Sequence, residues 1–233
     1  MIEIGTVKTN GWDAALRGMR NSRESWDQSD TVIENGKIKI GPNDLKLASR
    51  LASLGGSDAK FRRMIMVTMD IKAPMYWWKE FDTYKVGTVA NSTSTMYGAT
   101  KKEFTIDDFS TEHLRELGDY DSPVAINVNG EEVYFSPKYF IETMMCQMLN
   151  FYRDLYLETD DPILKKEYWW QIIQMLPSSY NQLRTVSLNY EVLSRMCRER
   201  MFHKLDEWQE FCRIMLDNLP YARELIYCDK NLE

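Results

Sequence analysis

The segment FRRMIMVTMDIKAPMYWWKEFDTYKVGTVANSTSTMYG, residues 61–98, decides how the rest of the chain is read. Its first part carries an apolar run of Met, Ile and Val whose length suits a buried strand rather than a helix. Pro74 stands where a helix over PMYWWKEFDTY would begin, because a first-turn residue needs no amide donor. Gly87 and the Ser/Thr cluster behind it stop that helix. The hydroxyl-rich bend that follows, as far as Tyr97, reads either as a solvent loop with local capping bonds or as a cradle whose amides meet a ligand. Tyr76, Trp77, Trp78 and Phe81 are open to two readings, core packing or stacking on a planar ligand.

Upstream, IEIGTV at 2–7 alternates as a short strand. In WDAALRGMRN the residues Trp12, Ala15, Leu16 and Met19 recur at helical spacing. Asn35-Gly36 marks a hairpin turn before Ile38 and Ile40. Asn43 is placed to cap a helix through LKLASRLASL that Gly55-Gly56 ends. Downstream, INVNGEEVYF holds Asn129-Gly130 between two alternating halves, a hairpin near 124–136. From Pro137 onward the patterns are amphipathic helices, including one long stretch through SLNYEVLSRMCRERM and another through LDEWQEFCRIMLDNL. The expected fold is α+β, a mixed or antiparallel sheet with packed helices and a helical C-terminal half, in a single domain over 1–233.

With 233 residues and 44% hydrophobic content the chain can bury a sizeable core. A net charge of −6 with both signs interspersed argues against duplex nucleic acid as a partner, while a single nucleotide needs only a small positive site. The four cysteines, Cys146, Cys197, Cys212 and Cys228, are widely spaced, and with only His113 and His203 no metal site is expected. That usage suits a reducing compartment. The opening MIEIGTVKTNGWD has no basic flank before an apolar run, and no segment reaches the length of a membrane span, so the expectation is a cytoplasmic protein.

Two collinear blocks resemble the flavin-dependent thymidylate synthase family of the ThyX type. IKAP matches Ile71 to Pro74. The family's R-Q falls on Lys79 and Glu80, and its R-H-R on Thr83, Tyr84 and Lys85. After one inserted residue its N-x-x-S-x-x-Y frame falls on Asn91, Ser94 and Tyr97, with Ser92 at an acidic position and Met96 at an arginine. The second block runs from Leu176-Pro177 through Asn189 and Leu193 to Arg200, with His203 close behind and Ile173 at another arginine position.

The resemblance implies a homotetrameric α+β enzyme that binds FAD where subunits meet. It implies methylation of a pyrimidine nucleotide, dUMP or a relative, with methylenetetrahydrofolate and NADPH as co-substrates. On the matching positions Ser94 and Arg200 would be catalytic. Lys79, Glu80, Asn91 and Ser92 would join them around the nucleotide, and Tyr84, Lys85, Asn189 and His203 would border the flavin. The missing arginines leave open a homologue that binds a nucleotide or flavin without catalysis, or one that uses another base, since function resides in the site rather than the fold. For Arg195, Arg198 and Arg200, salt bridges with Glu191 and Glu199 are the alternative to a ligand.

Overall fold

The computed structural model describes residues 1–34, 37–116 and 124–227. Asn35-Gly36 and Cys228 lie outside the described residues. The chain divides into two compact units. The first comprises Met1, Lys72–Trp78 and Ser92–Leu183, the second Ile2–Ile71, Lys79–Asn91 and Arg184–Glu233.

A four-stranded sheet has the order β1-β4-β8-β5, formed by β1 (Glu3–Asn10), β4 (Met66–Pro74), β8 (Asn181–Asn189) and β5 (Val89–Ser92). Along β4 the residues Val67, Met69, Ile71 and Ala73 are all buried while their neighbours are half-exposed, the period of two that a half-buried strand requires. Two small antiparallel ribbons complete the strands. One pairs β2 (Val32–Glu34) with β3 (Lys37–Lys39), the other β6 (Val124–Val128) with β7 (Glu131–Phe135). The second turns on Asn129 and Gly130, both at positive φ, as a two-residue Asn-Gly turn demands.

In the second unit α1 (Trp12–Arg20) buries Trp12, Ala15, Leu16 and Met19, the residues whose spacing predicted it. Trp12 meets Tyr190 edge-on, with ring centroids 5.2 Å apart. The next helix, α2 (Pro42–Leu54), corrects one expectation: Asn43 is inside it and Gly41 is the N-cap. The cap is supplied from a distant loop. Asp30 accepts the amides of Asn43 at 2.9 Å and Asp44 at 3.0 Å. Asp44 itself is fully buried and its carboxylate gathers a closed set of donors: Arg20 Nε at 2.7 Å, Ser29 Oγ at 2.7 Å, Thr31 Oγ1 at 2.7 Å, and the amides of Asp30 and Thr31. Burial pushes this carboxyl up, but the hydrogen bonds from Thr31, Ser29 and Arg20 and the Arg20 charge outweigh it and hold it below the ordinary range.

Pro74 closes β4, and the helix α3 (Met75–Phe81) starts one residue later than expected. In the first unit, α6 (Cys146–Glu158) packs against α7 (Pro162–Met175). Phe104, Phe109, Ile141, Leu149 and Ile172 form the core there. The short α5 (Pro137–Tyr139) and a π-helical stretch, Phe140–Met145, precede α6. The stretch assigned to one long helix from Ser187 splits. Ser187 to Asn189 end strand β8, and α8 is Tyr190–Arg200. It is followed by α9 (Asp206–Asn218) and the short α10 (Ala222–Leu225). The described cysteines, Cys146, Cys197 and Cys212, are free and buried, packed as small apolar side chains.

Candidate functional site

Helix α8 organises the second unit's polar chemistry, and its geometry starts at the N-cap. Asn189 is buried and its Oδ1 accepts the Val192 amide at 3.0 Å. Its amide nitrogen faces Gly87, which sits at φ +83; a Cβ there would lie 3.2 Å from Asn189 Nδ2 and 3.1 Å from Val192 Cγ2. Only glycine lets the chain turn this close to the helix start.

Beside this turn is a cleft of about 300 Å³ lined by Arg63, Val86, Gly87, Asn189, Glu191, Val192, Arg195 and Arg198. Its charge balance follows from one buried residue. Arg62 is 3% exposed and puts both Nε, at 2.8 Å, and a terminal nitrogen, at 2.6 Å, on Glu191 Oε2. The other terminal nitrogen is held by Ser194 Oγ and Leu225 O. Glu191 is thereby neutralised from behind. Arg63, Arg195 and Arg198 are exposed and carry no carboxylate partner among the described residues. The alternative in which Arg195 and Arg198 bridge to Glu191 and Glu199 is therefore overturned, since Glu199 accepts from the Tyr84 hydroxyl at 2.7 Å. Arg195 instead lies over the Tyr84 ring, 4.9 Å from its centroid, a stacking that holds a guanidinium plane without consuming its charge. Arg63 also lines a second cavity, of about 760 Å³, with Met19, Leu51, Asp58 and Phe61.

Arg200, on the same helix, is differently engaged. Its Nε donates to Tyr84 Oη at 2.9 Å and its terminal nitrogen meets Glu80 Oε2 at 2.9 Å. Its guanidinium also lies 5.3 Å from the Trp208 ring centroid. Glu80, Tyr84 and Arg200 thus come together as one neutralised cluster. Tyr84 is 2% exposed. Burial pushes its phenol up, the bond to Glu199 adds to that, Arg200 opposes, and the result is about 12. An unfolded tyrosine titrates near 10, so the fold favours the neutral phenol: this contribution is whole below about pH 10 and is lost as pH rises through about 12. Unfolding free energy measured by denaturant titration should fall across that window in the wild type. In Tyr84→Phe the fall should be shallower, and equal slopes would remove Tyr84 as its source.

The other residues expected in the site are placed as follows. Lys79 and Lys85 are exposed, as are Asn91 and Ser92, the last two on β5 at the sheet's edge. The bend is therefore not a loop throughout: Val89–Ser92 is a strand, and the Thr93 amide is taken by Leu183 O at 2.9 Å. Ser94 caps α4 (Thr95–Gly98), accepting the Tyr97 amide at 3.3 Å. His203 lies in the turn beyond the end of α8, with Nδ1 accepting the Leu205 amide at 3.2 Å. Trp77 and Trp78 are wholly buried, and Trp78 Nε1 donates to Gln182 O at 2.9 Å, which makes them core and not a stacking platform. Ser94, Asn91 and Ser92 are divided between the two units, with Ser94 and Ser92 in the first and Asn91 in the second. Sequence reasoning missed Arg63 as a site residue altogether. The signal for Arg195 and Arg198, a pair three residues apart on one helix, was present.

No protein-family model matches the chain, and no curated protein matches it in sequence. Solved structures match in fold. Thymidylate synthase X (ThyX) from Helicobacter pylori, crystallised with FAD and dUMP, is similar with a TM-score of 0.63 and 17% identity, over 99% of this chain and 100% of that one. A further structure of the flavin-dependent thymidylate synthase ThyX from the same organism, complexed with FAD and dUMP, is similar with a TM-score of 0.63 and 16% identity, over 98% and 100%. The class is thus an α+β protein of the ThyX fold.

Proposed function

We propose that the chain binds FAD with its arginine cleft and is a divergent flavin-dependent thymidylate synthase-like enzyme. The observation that carries the reading is the cleft itself: three guanidinium groups without carboxylate partners among the described residues, beside a glycine turn and a buried helix cap, in a fold shared with solved structures that hold FAD and dUMP. The donor set fits the cofactor's diphosphate, because guanidinium forks match phosphate oxygens and Arg195 is pre-oriented on Tyr84. The volume, about 300 Å³, suits a diphosphate and sugar rather than a whole dinucleotide. The remainder would lie along the cavity that shares Arg63 or against a second protomer. When bound, the flavin supplies hydride chemistry, and the protein supplies position and electrostatics.

The nucleotide to be methylated, dUMP or a relative, would sit by Ser94 with methylenetetrahydrofolate and NADPH as co-substrates. A second reading, a homologue that binds flavin or nucleotide without catalysis, is favoured by one observation: Glu80 neutralises Arg200, the side chain that the resemblance assigns to the pyrimidine. Both readings take the protein as a homotetramer. Phe140, Met144, Met148 and Phe151 are exposed at helical spacing along one stretch, the kind of apolar stripe that a second copy covers.

The test begins with colour. The purified protein should carry visible flavin bands or take up added FAD saturably, and a colourless protein that ignores FAD would contradict the proposal. Thymidylate formation from dUMP, with NADPH and methylenetetrahydrofolate present, then separates the two readings.

A further inference from the structure

Glu199 is the acid within helical reach of the arginine cleft, and a competition decides its partner. Arg195 and Glu199 stand four residues apart on α8 (Tyr190–Arg200), the spacing at which opposite charges on a helix pair. The arginine comes first, which is the weaker order, because the acid then lies at the negative end of the helix dipole. The structure keeps the two apart. The Tyr84 hydroxyl donates to Glu199 Oε2 at 2.7 Å, and a hydrogen bond to a carboxylate outweighs an exposed ion pair along a helix. Arg200 Nε donates to the same hydroxyl at 2.9 Å, which directs the hydroxyl's own hydrogen to Glu199. Burial pushes the Tyr84 phenol up to about 12, so that hydrogen is present throughout the neutral range. Arg195 has neither an ion pair nor a hydrogen bond among the described residues; what holds it is the Tyr84 ring, whose centroid is 4.9 Å from the guanidinium.

We infer that Tyr84 is a positioning residue that keeps Arg195 free for an anionic ligand, holding the guanidinium with its ring while its hydroxyl draws Glu199 away. The inference rests on the reading of the arginine cleft as the seat of the cofactor's diphosphate. Tyr84 is 2% exposed, so it acts through Arg195 rather than by touching the ligand. Without the hydroxyl, Glu199 turns back to Arg195. Arg198 and Arg200 do not compete for it, since neither lies three or four positions away on the helix. A ligand must then displace the carboxylate before it can use the Arg195 fork.

Two measurements on the full-length protein test this. The first needs no cofactor. Phenylglyoxal, a dicarbonyl that attacks arginine and is slowed by a carboxylate partner, is the probe, and peptide mass spectrometry quantifies the label on Arg195. Tyr84→Phe, which keeps the ring, should slow labelling about threefold, as an exposed ion pair implies. Tyr84→Phe/Glu199→Gln should restore the wild-type rate, whereas a merely structural loss at Tyr84 is not repaired by removing an acid. The second measurement is FAD titration followed by fluorescence quenching. Tyr84→Phe should weaken FAD by about the same factor, the loss should shrink as salt is added, and Glu199→Gln should again restore affinity. In an Arg195→Ala background Tyr84→Phe should change nothing further. Glu199→Gln alone, whose amide oxygen still accepts the phenol, should leave both readouts within about twofold of wild type. Arg195 labelling unaltered by Tyr84→Phe, or a loss that Glu199→Gln does not restore, would overturn the inference. So would labelling several-fold faster in Glu199→Gln alone, which decides the matter even where Tyr84→Phe fails to fold. A wild type that ignores FAD contradicts the cofactor reading, and the labelling then tests Tyr84 by itself.

Discussion

Asp44→Ala is expected to destabilise the protein by about 3–5 kcal/mol, because it strands a buried charge. Arg20 is 3% exposed, and the only carboxylate that it meets among the described residues is Asp44. Its other donors reach backbone carbonyls, Ser25 O and Gln28 O, at 3.2 Å, and these do not neutralise it. The same substitution releases the Ser29 and Thr31 hydroxyls and the Asp30 and Thr31 amides, so the loop that caps α2 through Asp30 loses its anchor as well. For a chain of this size each kcal/mol shifts Tm by about 2–4 °C, and thermal unfolding followed by circular dichroism should show a drop of roughly 10 °C. A double substitution, Arg20→Met with Asp44→Leu, should recover part of the loss. It removes the uncompensated charge, yet leaves the loop donors without an acceptor.

The acid limb gives an independent check. The folded protein holds Asp44 below the ordinary carboxylate range, so its contribution is complete above the unfolded value, about 3.9. It disappears as pH falls through the folded one. Wild-type stability should therefore drop more steeply below about pH 4 than that of Asp44→Ala. Identical acid slopes, or a Tm change within a degree or two, would show that the network contributes little.

How much of this was legible beforehand depends on the range of the interaction. The helix at Trp12, the strand at Val67 to Ile71 and the Asn129-Gly130 turn follow from local periodicity and turn chemistry, and the structure has all three. Strand β8 leaves no clear alternation in the sequence, because only Gln182, Val186, Leu188 and Asn189 along it are buried while Leu183 faces solvent. Its last residues also blend into the helical spacing of α8. Asn43 reads as the cap of α2 in the sequence because Asp30, which accepts the amides there, acts across a loop that no window of residues reveals. The candidate site shows the same division. Glu80, Tyr84 and Arg200 were picked out by position in a motif, but that Glu80 would cancel Arg200 is a contact between distant segments. Arg63 looked like one of two ordinary basic residues. Its place beside Arg195 and Arg198 arises because Arg62, its neighbour, is drawn inward by Glu191.

That arrangement sets the second large effect. Arg195→Ala/Arg198→Ala is expected to weaken FAD binding by at least about 100-fold, since each charge-assisted hydrogen bond to a phosphate contributes about 1.5–3 kcal/mol and tenfold costs 1.4 kcal/mol. Both side chains are exposed, so salt screening reduces each contribution and the lower end of the range applies. Fluorescence quenching of FAD on titration with the assembled protein would measure it. Arg195→Lys should sit between, losing about tenfold: the charge survives, but the fork and the stacking on Tyr84 do not. Glu191→Gln separates charge from structure. It removes the counter-charge of buried Arg62 and so lowers Tm, yet it makes the cleft more positive and should not weaken FAD. If the double arginine variant binds FAD as the wild type does, the cofactor lies elsewhere. If Glu191→Gln abolishes binding while the arginine variant does not, the cleft acts through its shape rather than its charge.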